Sequence, residues 1–321
     1  TATLEGELRF CNNCLDSASW GPYISLSIIA EGYGKVIVCQ PIVVCGNAVD
    51  EVDYNFVSYD VDVDAYGSAS VDAIVPMTVT CNTLVTAGSM VEADVVVNVR
   101  NNAVASLCND VVVQGNSMEG AYPEVFMAPA GKGFNGYGLK LFQYVRVIAD
   151  GALASGTIES EVLFDGNTIV AEDLVGMNVY RGAHAYGDGA DAVACISGDV
   201  TATNNDIAIE GNGIGITGGA QTRAGVDQGN ALAVVDTLFC ISNNKIEMED
   251  GMGIVAVGID IGNDDESGDY ASETGLNIEF AIRDNCVSLS GEAIVPNAVD
   301  VTENVGIYVA VLSTEPGLTA D

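Results

Sequence analysis

The sequence predicts an all-β fold, a parallel β-solenoid or stack of β-arches with repeats of about 35–41 residues. Three observations predict it: a recurring Asn triplet, β-like stretches between the triplets, and turn residues every 8 to 12 positions. The triplet is Asn, any residue, then an apolar residue, just after an apolar stretch. It occurs at Asn13, Asn47, Asn82, Asn116, Asn167, Asn205, Asn244 and Asn285, at intervals of 34, 35, 34, 51, 38, 39 and 41 residues. About nine residues after each Asn the chain turns apolar again, as at Val91, Val125, Met177, Ile214, Ile254 and Ile294. Ser58 to Asp64 alternates strictly, and Val95–Val97 and Val111–Val113 are β-branched runs of the kind buried strands favour. No segment shows a helical period with caps.

One such coil cannot bury its own apolar side chains. Stacking the coils pairs each backbone edge with the next at ~4.8 Å and builds a continuous core. Asn suits the corner because it tolerates left-handed backbone angles, and stacked Asn side chains bond one another up the column. Hairpins in a sandwich or propeller share this period, although no WD-like or Kelch-like signature is present.

The whole chain of 321 residues is expected to form a single repeat domain, with residues 119–156 as an insertion or arm inside the 51-residue interval. Tyr122 to Arg146 holds Tyr122, Phe126, Phe134, Tyr137, Phe142 and Tyr144, with two prolines and three of the ten basic residues. It reads either as a lid on the solenoid or as an arm that docks on an acidic neighbour.

The chain carries 45 Asp and Glu against ten Lys and Arg, a formal charge of −35, with 49% apolar residues. That apolar share excludes simple disorder. The charge excludes nucleic acid and anionic lipid as partners, because nothing here could neutralise phosphates. Expected partners are divalent cations and other copies of the chain. The longest apolar stretch, Val36 to Val49, is broken by Gln40, Pro41 and Gly46, short of the ~20 apolar residues of a spanning helix. Thr1-Ala2-Thr3-Leu4 looks like a mature end after leader removal, which points to export.

Strand-like ends, Leu4, Leu8 and Phe10 at one and Val305 to Leu312 at the other, carry no amphipathic helix to cover them. Uncovered edges recruit further strands, so joining of copies is expected unless a loop shields them.

Candidate chemistry is sparse. His184, the only histidine, sits among small residues with no nucleophile motif. Asp60, Asp62 and Asp64 share one strand face, about 7 Å apart by strand geometry, and read either as a carboxylate set for glycan chemistry or as a solvated ladder. Asn263, Asp265, Ser267 and Asp269 place oxygens at alternate positions, with Gly268 between the last two, as a calcium loop does, although Thr274 stands at its twelfth position. An acidic turn without a fixed ion is the alternative; Tyr186 to Asp191 is a weaker turn of the same kind. Ca²⁺ is the one cofactor expected. Of nine cysteines, Cys11 and Cys14 form a CxxC without a second pair to support zinc. Cys11 and Cys45 stand two before their Asn and Cys81 one before, so adjacent coils bring them within disulfide reach; buried free thiols are the alternative.

Segments such as Val79-Thr80-Cys81-Asn82-Thr83-Leu84 and Phe239-Cys240-Ile241-Ser242-Asn243-Asn244-Lys245-Ile246 resemble the β-rich subunits of methanogen archaeal cell sheaths. The resemblance spans the chain in repeat style; bacterial and viral β-solenoid adhesins share that style. It implies an exported, acidic, cysteine-containing envelope polymer without a catalytic site, and transfers no functional residue. The expected function is therefore an extracellular structural protein that self-assembles into a ring, tube or filament. The alternative is a glycan-binding or glycan-cleaving solenoid working through Asp60 to Asp64.

Overall fold

The computed structural model describes residues 1–86, 88–120, 137–261, 272–290 and 305–314. It is an all-β parallel solenoid with turns of about 38 residues, and no helix is present among the described residues. Every described strand pairing is parallel, between one coil and the next.

Each coil has four sides. The long side runs through Tyr23–Ala30, Val57–Gly67, Val91–Asn101, Tyr137–Asp150 and Val175–Asp188. A second side is built of strands such as Ser70–Ile74 and Val104–Cys108, and a third of strands such as Met77–Thr80 and Val111–Gln114. A fourth, short side follows each repeat Asn, as in Ala48–Val52 and Ser117–Gly120. In later coils the corners smooth out. Ala231–Ser242 passes through sides two and three without a break, while Asp206–Gln228 and Lys245–Ile261 each pass through sides four and one. That continuity joins the four sides into two fourteen-stranded sheets.

Alternation decides which side chains enter. Along Val91–Asn101, Ala93, Val95, Val97 and Val99 are fully buried while Asp94 and Asn98 face outward. The same columns continue through Tyr59, Val61 and Val63 in the coil before, and through Leu141, Val145 and Val147 in the coil after. β-Branched residues dominate because both backbone edges of each strand are paired and only the inner face needs filling.

Where the long side begins in the later coils, the backbones approach closely. A Cβ on Gly176 would stand 2.4 Å from the carbonyl oxygen of Gly215, and one on Gly215 would stand 2.4 Å from that of Gly253. These glycines are required by backbone proximity between coils.

The arm expected at residues 119–156 is corrected over most of its length. Tyr137–Asp150 is a long-side strand, in register with Val91–Asn101 on one edge and Val175–Asp188 on the other, and Ala154–Glu159 continues the second side. Leu139, Leu141, Val145 and Val147 point inward, so Phe142 and Tyr144 stand on the outer face of a coil strand, while Tyr137 opens that strand half-buried with Lys140 Nζ 5.8 Å from its ring centroid. Residues 121–136, which hold Tyr122, Val125, Phe126 and Phe134, lie outside the described residues.

Candidate functional site

The eight repeat asparagines form one column. The backbone N–H and Nδ2 of each donate to Oδ1 of the next, at 2.8–3.1 Å, from Asn13 through Asn47, Asn82, Asn116, Asn167, Asn205 and Asn244 to Asn285. The second Nδ2 hydrogen reaches back to a third-side carbonyl of the coil before, as Asn82 does to Val44 and Asn167 to Val113. All but the two end members are buried. A buried amide with every donor matched to a fixed acceptor sets the register of the whole stack.

The left-handed backbone position is not the Asn itself. It is the residue before: Asn12, Gly46, Cys81, Gly115, Gly166, Asn204, Asn243 and Asp284 all have φ between 55 and 64°. The chain turns at that residue, which frees the following Asn to aim its amide along the stack. Seven of these eight are Gly, Asn or Asp, the residues that bear such angles at least cost.

Cys11 and Cys45, in adjacent coils, form a disulfide with their α-carbons 4.5 Å apart. A disulfide indicates an oxidising compartment. Cys14 and Cys81 are exposed free thiols, so the CxxC does not act as a pair.

A polar network crosses the core. Arg181 takes an inward position on the long side and is fully buried. Its Nε donates to Gln143 Oε1 at 3.0 Å, one terminal nitrogen donates to Ser160 O at 2.7 Å, and the other to Thr237 Oγ1 at 2.8 Å and to Gly198 O. Burial lowers its pKa from 12.5 to about 10, against the pull of Glu161 and Asp199, so it stays charged at neutral pH. Asn109 continues the network with bonds to the Tyr59 hydroxyl at 2.9 Å and Val75 O at 2.6 Å. Arg181 was not singled out from the sequence. The signal was an Arg in an inward slot of the alternation Met177, Val179, Arg181, Ala183.

The outer surface of the long side gathers the other candidates. Asp60, Asp62 and Asp64 line one strand, with Asp94 beside Asp60 in the next coil. Asp60 accepts from the Tyr23 hydroxyl at 2.8 Å, Asp64 accepts from Asn98 Nδ2 at 3.2 Å, and Lys140 bridges Glu92 at 2.7 Å and Asp94 at 3.1 Å. Beyond them Phe142 stacks on Tyr180 at 5.2 Å, and the Tyr144 hydroxyl lies 3.4 Å from His184 Nδ1. Partial burial raises the pKa of Asp62, helped by Asp64, Asp60 and Asp94, and burial raises that of Asp94 although Lys140 opposes it. Burial lowers that of His184, with Arg223 and Arg146 adding to it.

These shifts carry a sign. A carboxyl whose folded pKa is raised contributes stability that is present at low pH and lost as pH rises through the folded value. Asp62 and Asp94 therefore favour the fold on acidification, while His184 opposes it below 6.5, where the unfolded chain takes up the proton first. Asp62→Asn removes one like charge from the row. It is expected to raise the melting temperature at pH 7 by about 1–2 °C, an increment kept small by solvent screening. Thermal melts at pH 7 and pH 4 check this: the gain should shrink at the lower pH.

The calcium-like residues Asn263, Asp265, Ser267 and Asp269 lie outside the described residues. In the weaker turn, Asp191 Oδ1 accepts from Asn230 N and Nδ2 at 3.1 and 2.7 Å, so that oxygen is engaged by protein. Among the described residues, no three of His, Cys, Asp and Glu are grouped so as to hold a metal ion. No helix among them is long and apolar enough to cross a membrane.

The two end layers have a distinct geometry. The strands Ala2–Glu5, Leu8–Cys11 and Tyr23–Ala30 pair on one edge only, as do Ser272–Arg283, Cys286–Leu289 and Val305–Thr314 among the described residues. On several of these strands the inward side chains lie open, whereas Ile24, Ile28 and Ala30 of the first long-side strand are buried. Leu8 is 46% exposed where the next residue in its column, Ile42, is 1% exposed; Val309 is 50% exposed where Ala256 beneath it is fully buried. No family model, no curated protein and no solved structure matches the chain. What the geometry establishes is thus a β-solenoid of about seven turns, held in register by an Asn ladder, whose end strands pair on one edge only among the described residues.

Proposed function

We propose that this protein is an extracellular structural subunit whose copies join end to end through strand edges into a ring, tube or filament of a cell envelope. One observation carries the reading: among the described residues both end layers present unpaired edges, and several apolar side chains there stand half-exposed in columns that are buried in the interior coils. Leu4, Leu8, Ile307, Val309 and Val311 have the composition of a core cut across. Such a surface recruits the next layer, and because the two ends differ the contact is head to tail, which closes into a ring or runs on as a filament. The disulfide and the resemblance to sheath subunits support the placement outside the cell. In this reading the protein has no catalytic role, and divalent cations such as Ca²⁺ screen the charge of −35 that each copy carries.

Leu8→Arg and Val309→Arg each place a charge in the open layer while leaving the interior coils untouched. Each is expected to abolish polymers in negative-stain images with the circular dichroism of the β-fold retained. Full-length polymers from both variants would overturn the reading. Chelation is expected to loosen the contacts between copies, seen as shorter polymers; unchanged polymers together with no bound calcium by elemental analysis would remove the cation from the account.

A second reading, a glycan-binding or glycan-cleaving solenoid, is favoured by the row Asp60, Asp62 and Asp64 leading to the Phe142–Tyr180 stack on one open face. Carboxylates beside aromatic rings are the groups that hold and hydrolyse sugars. Sugar release from a polysaccharide by monodisperse protein, lost in Asp62→Asn, would favour it over the structural reading.

A further inference from the structure

The residue after each ladder Asn occupies one continuous column. From the first coil to the last it reads Cys14, Ala48, Thr83, Ser117, Thr168, Asp206, Lys245, Cys286. Cysteine stands at its two ends and nowhere between. Both thiols are free and exposed. Seven layer steps of ~4.8 Å set them about 34 Å apart, so they cannot join within one chain.

The ends of the Asn ladder are complementary in the same place. Oδ1 of every ladder residue from Asn47 to Asn285 accepts two bonds from the Asn before it, and Asn13 Oδ1 has no such neighbour. At the other end, the Asn285 N–H and one Nδ2 hydrogen have no further ladder Oδ1 among the described residues to bond. Continuing the columns by one layer sets Leu4 over Leu276, Leu8 over Phe280, Phe10 over Ile282 and Leu15 over Val287, apolar on apolar in these four columns.

We propose that the first coil of a second copy stacks on the last coil of this one, that the Asn ladder runs on from Asn285 to Asn13 of that copy, and that Cys286 forms a disulfide with its Cys14. Cys11 and Cys45 supply the internal precedent, since cysteines in one column of adjacent coils sit 4.5 Å apart between α-carbons, within the disulfide range. The oxidant is a low-molecular-weight disulfide. The Cys14 thiolate attacks one of its sulfurs and releases a thiol. The Cys286 thiolate then attacks the Cys14 sulfur of that mixed disulfide and releases the second thiol. Two protein thiols lose two electrons and two protons, and one small disulfide becomes two thiols.

This inference rests on the end-to-end reading, and the experiment separates the two. The full chain, Cys14→Ser, Cys286→Ser and an equimolar mixture of the two variants are incubated with oxidised glutathione, run on non-reducing gels and digested for cross-linked peptides. A parallel set is imaged in reductant. The full chain is expected to give a ladder of covalent oligomers and a Cys14–Cys286 peptide. Each variant alone is expected to lose the ladder, by tenfold or more, and the mixture to stop at covalent dimers, because it retains one joining pair. Ladders from either variant alone, or a full-chain ladder cross-linked through Cys39 or Cys81, would overturn the proposal. Polymers in reductant without any Cys14–Cys286 peptide after oxidation would overturn the disulfide and leave end-to-end joining standing. Absence of polymers in every condition would overturn both. The peptide is read from the unmutated chain, so the test does not depend on the variants folding.

Discussion

Asn116→Ala is expected to cost about 3–5 kcal/mol and lower the melting temperature by about 5–10 °C. The residue sits mid-ladder and is buried. Its Oδ1 accepts from Asn82 N at 2.9 Å and Asn82 Nδ2 at 2.8 Å, and its Nδ2 donates to Val79 O at 3.0 Å and Asn167 Oδ1 at 3.0 Å. Truncation leaves two donors of Asn82 facing a methyl group at a buried position. A buried polar group left unpaired costs about 1–3 kcal/mol, and several are orphaned at once. Asn102→Ala is the control. It removes an exposed bond to Ser68 Oγ and should stay within about 0.5 kcal/mol of the parent. Equal melting temperatures for the two variants would show that the ladder does not hold the stack.

The second large effect is expected at Arg181. Arg181→Leu should destabilise the fold by about 3–5 kcal/mol, although replacing a buried charge with an apolar residue is often neutral. The difference lies in what the guanidinium binds. Its partners are Gln143 Oε1, Ser160 O, Gly198 O and Thr237 Oγ1, uncharged acceptors that have no use once the donors leave. Arg181→Lys should recover little, since an ammonium cannot span three directions at once. In the pair Arg181→Leu with Gln143→Leu, the losses should fall short of additive, because the second change removes an acceptor the first has orphaned. Denaturant midpoints for the parent, Arg181→Leu, Arg181→Lys, Gln143→Leu and the double variant check both points.

The layered fold was legible because repetition amplifies a weak local signal. One Asn triplet carries no information, but eight in near-constant register define the coil and its stacking direction. The corner was read one residue late: the left-handed angle falls on Gly46, Gly115 or Asn204, while the following Asn does the bonding. Both residue types signal a turn, and only the stack separates their roles. Aromatic content was a poor guide at Tyr137, Phe142 and Tyr144. Rings on the outer face of a strand and rings on an arm look alike in composition, and the buried alternation of Leu139, Leu141, Val145 and Val147 was the better indicator. The core network was invisible to local reading, since Arg181 meets Thr237 across 56 residues. The four sides of the coil were likewise beyond it, because short strands meeting at Pro41, Pro76 or Asp110 look the same whether the chain turns by a quarter or a half.

The account stands on the claim that a single chain is one segment of a longer stack. Sedimentation velocity of the full chain, run over a range of concentrations in reductant so that covalent links play no part, tests it most directly. Association predicts species well above 33.1 kDa whose share grows with concentration and vanishes in Leu8→Arg. A single 33.1 kDa species at every concentration, identical in the parent and in Leu8→Arg, would contradict it.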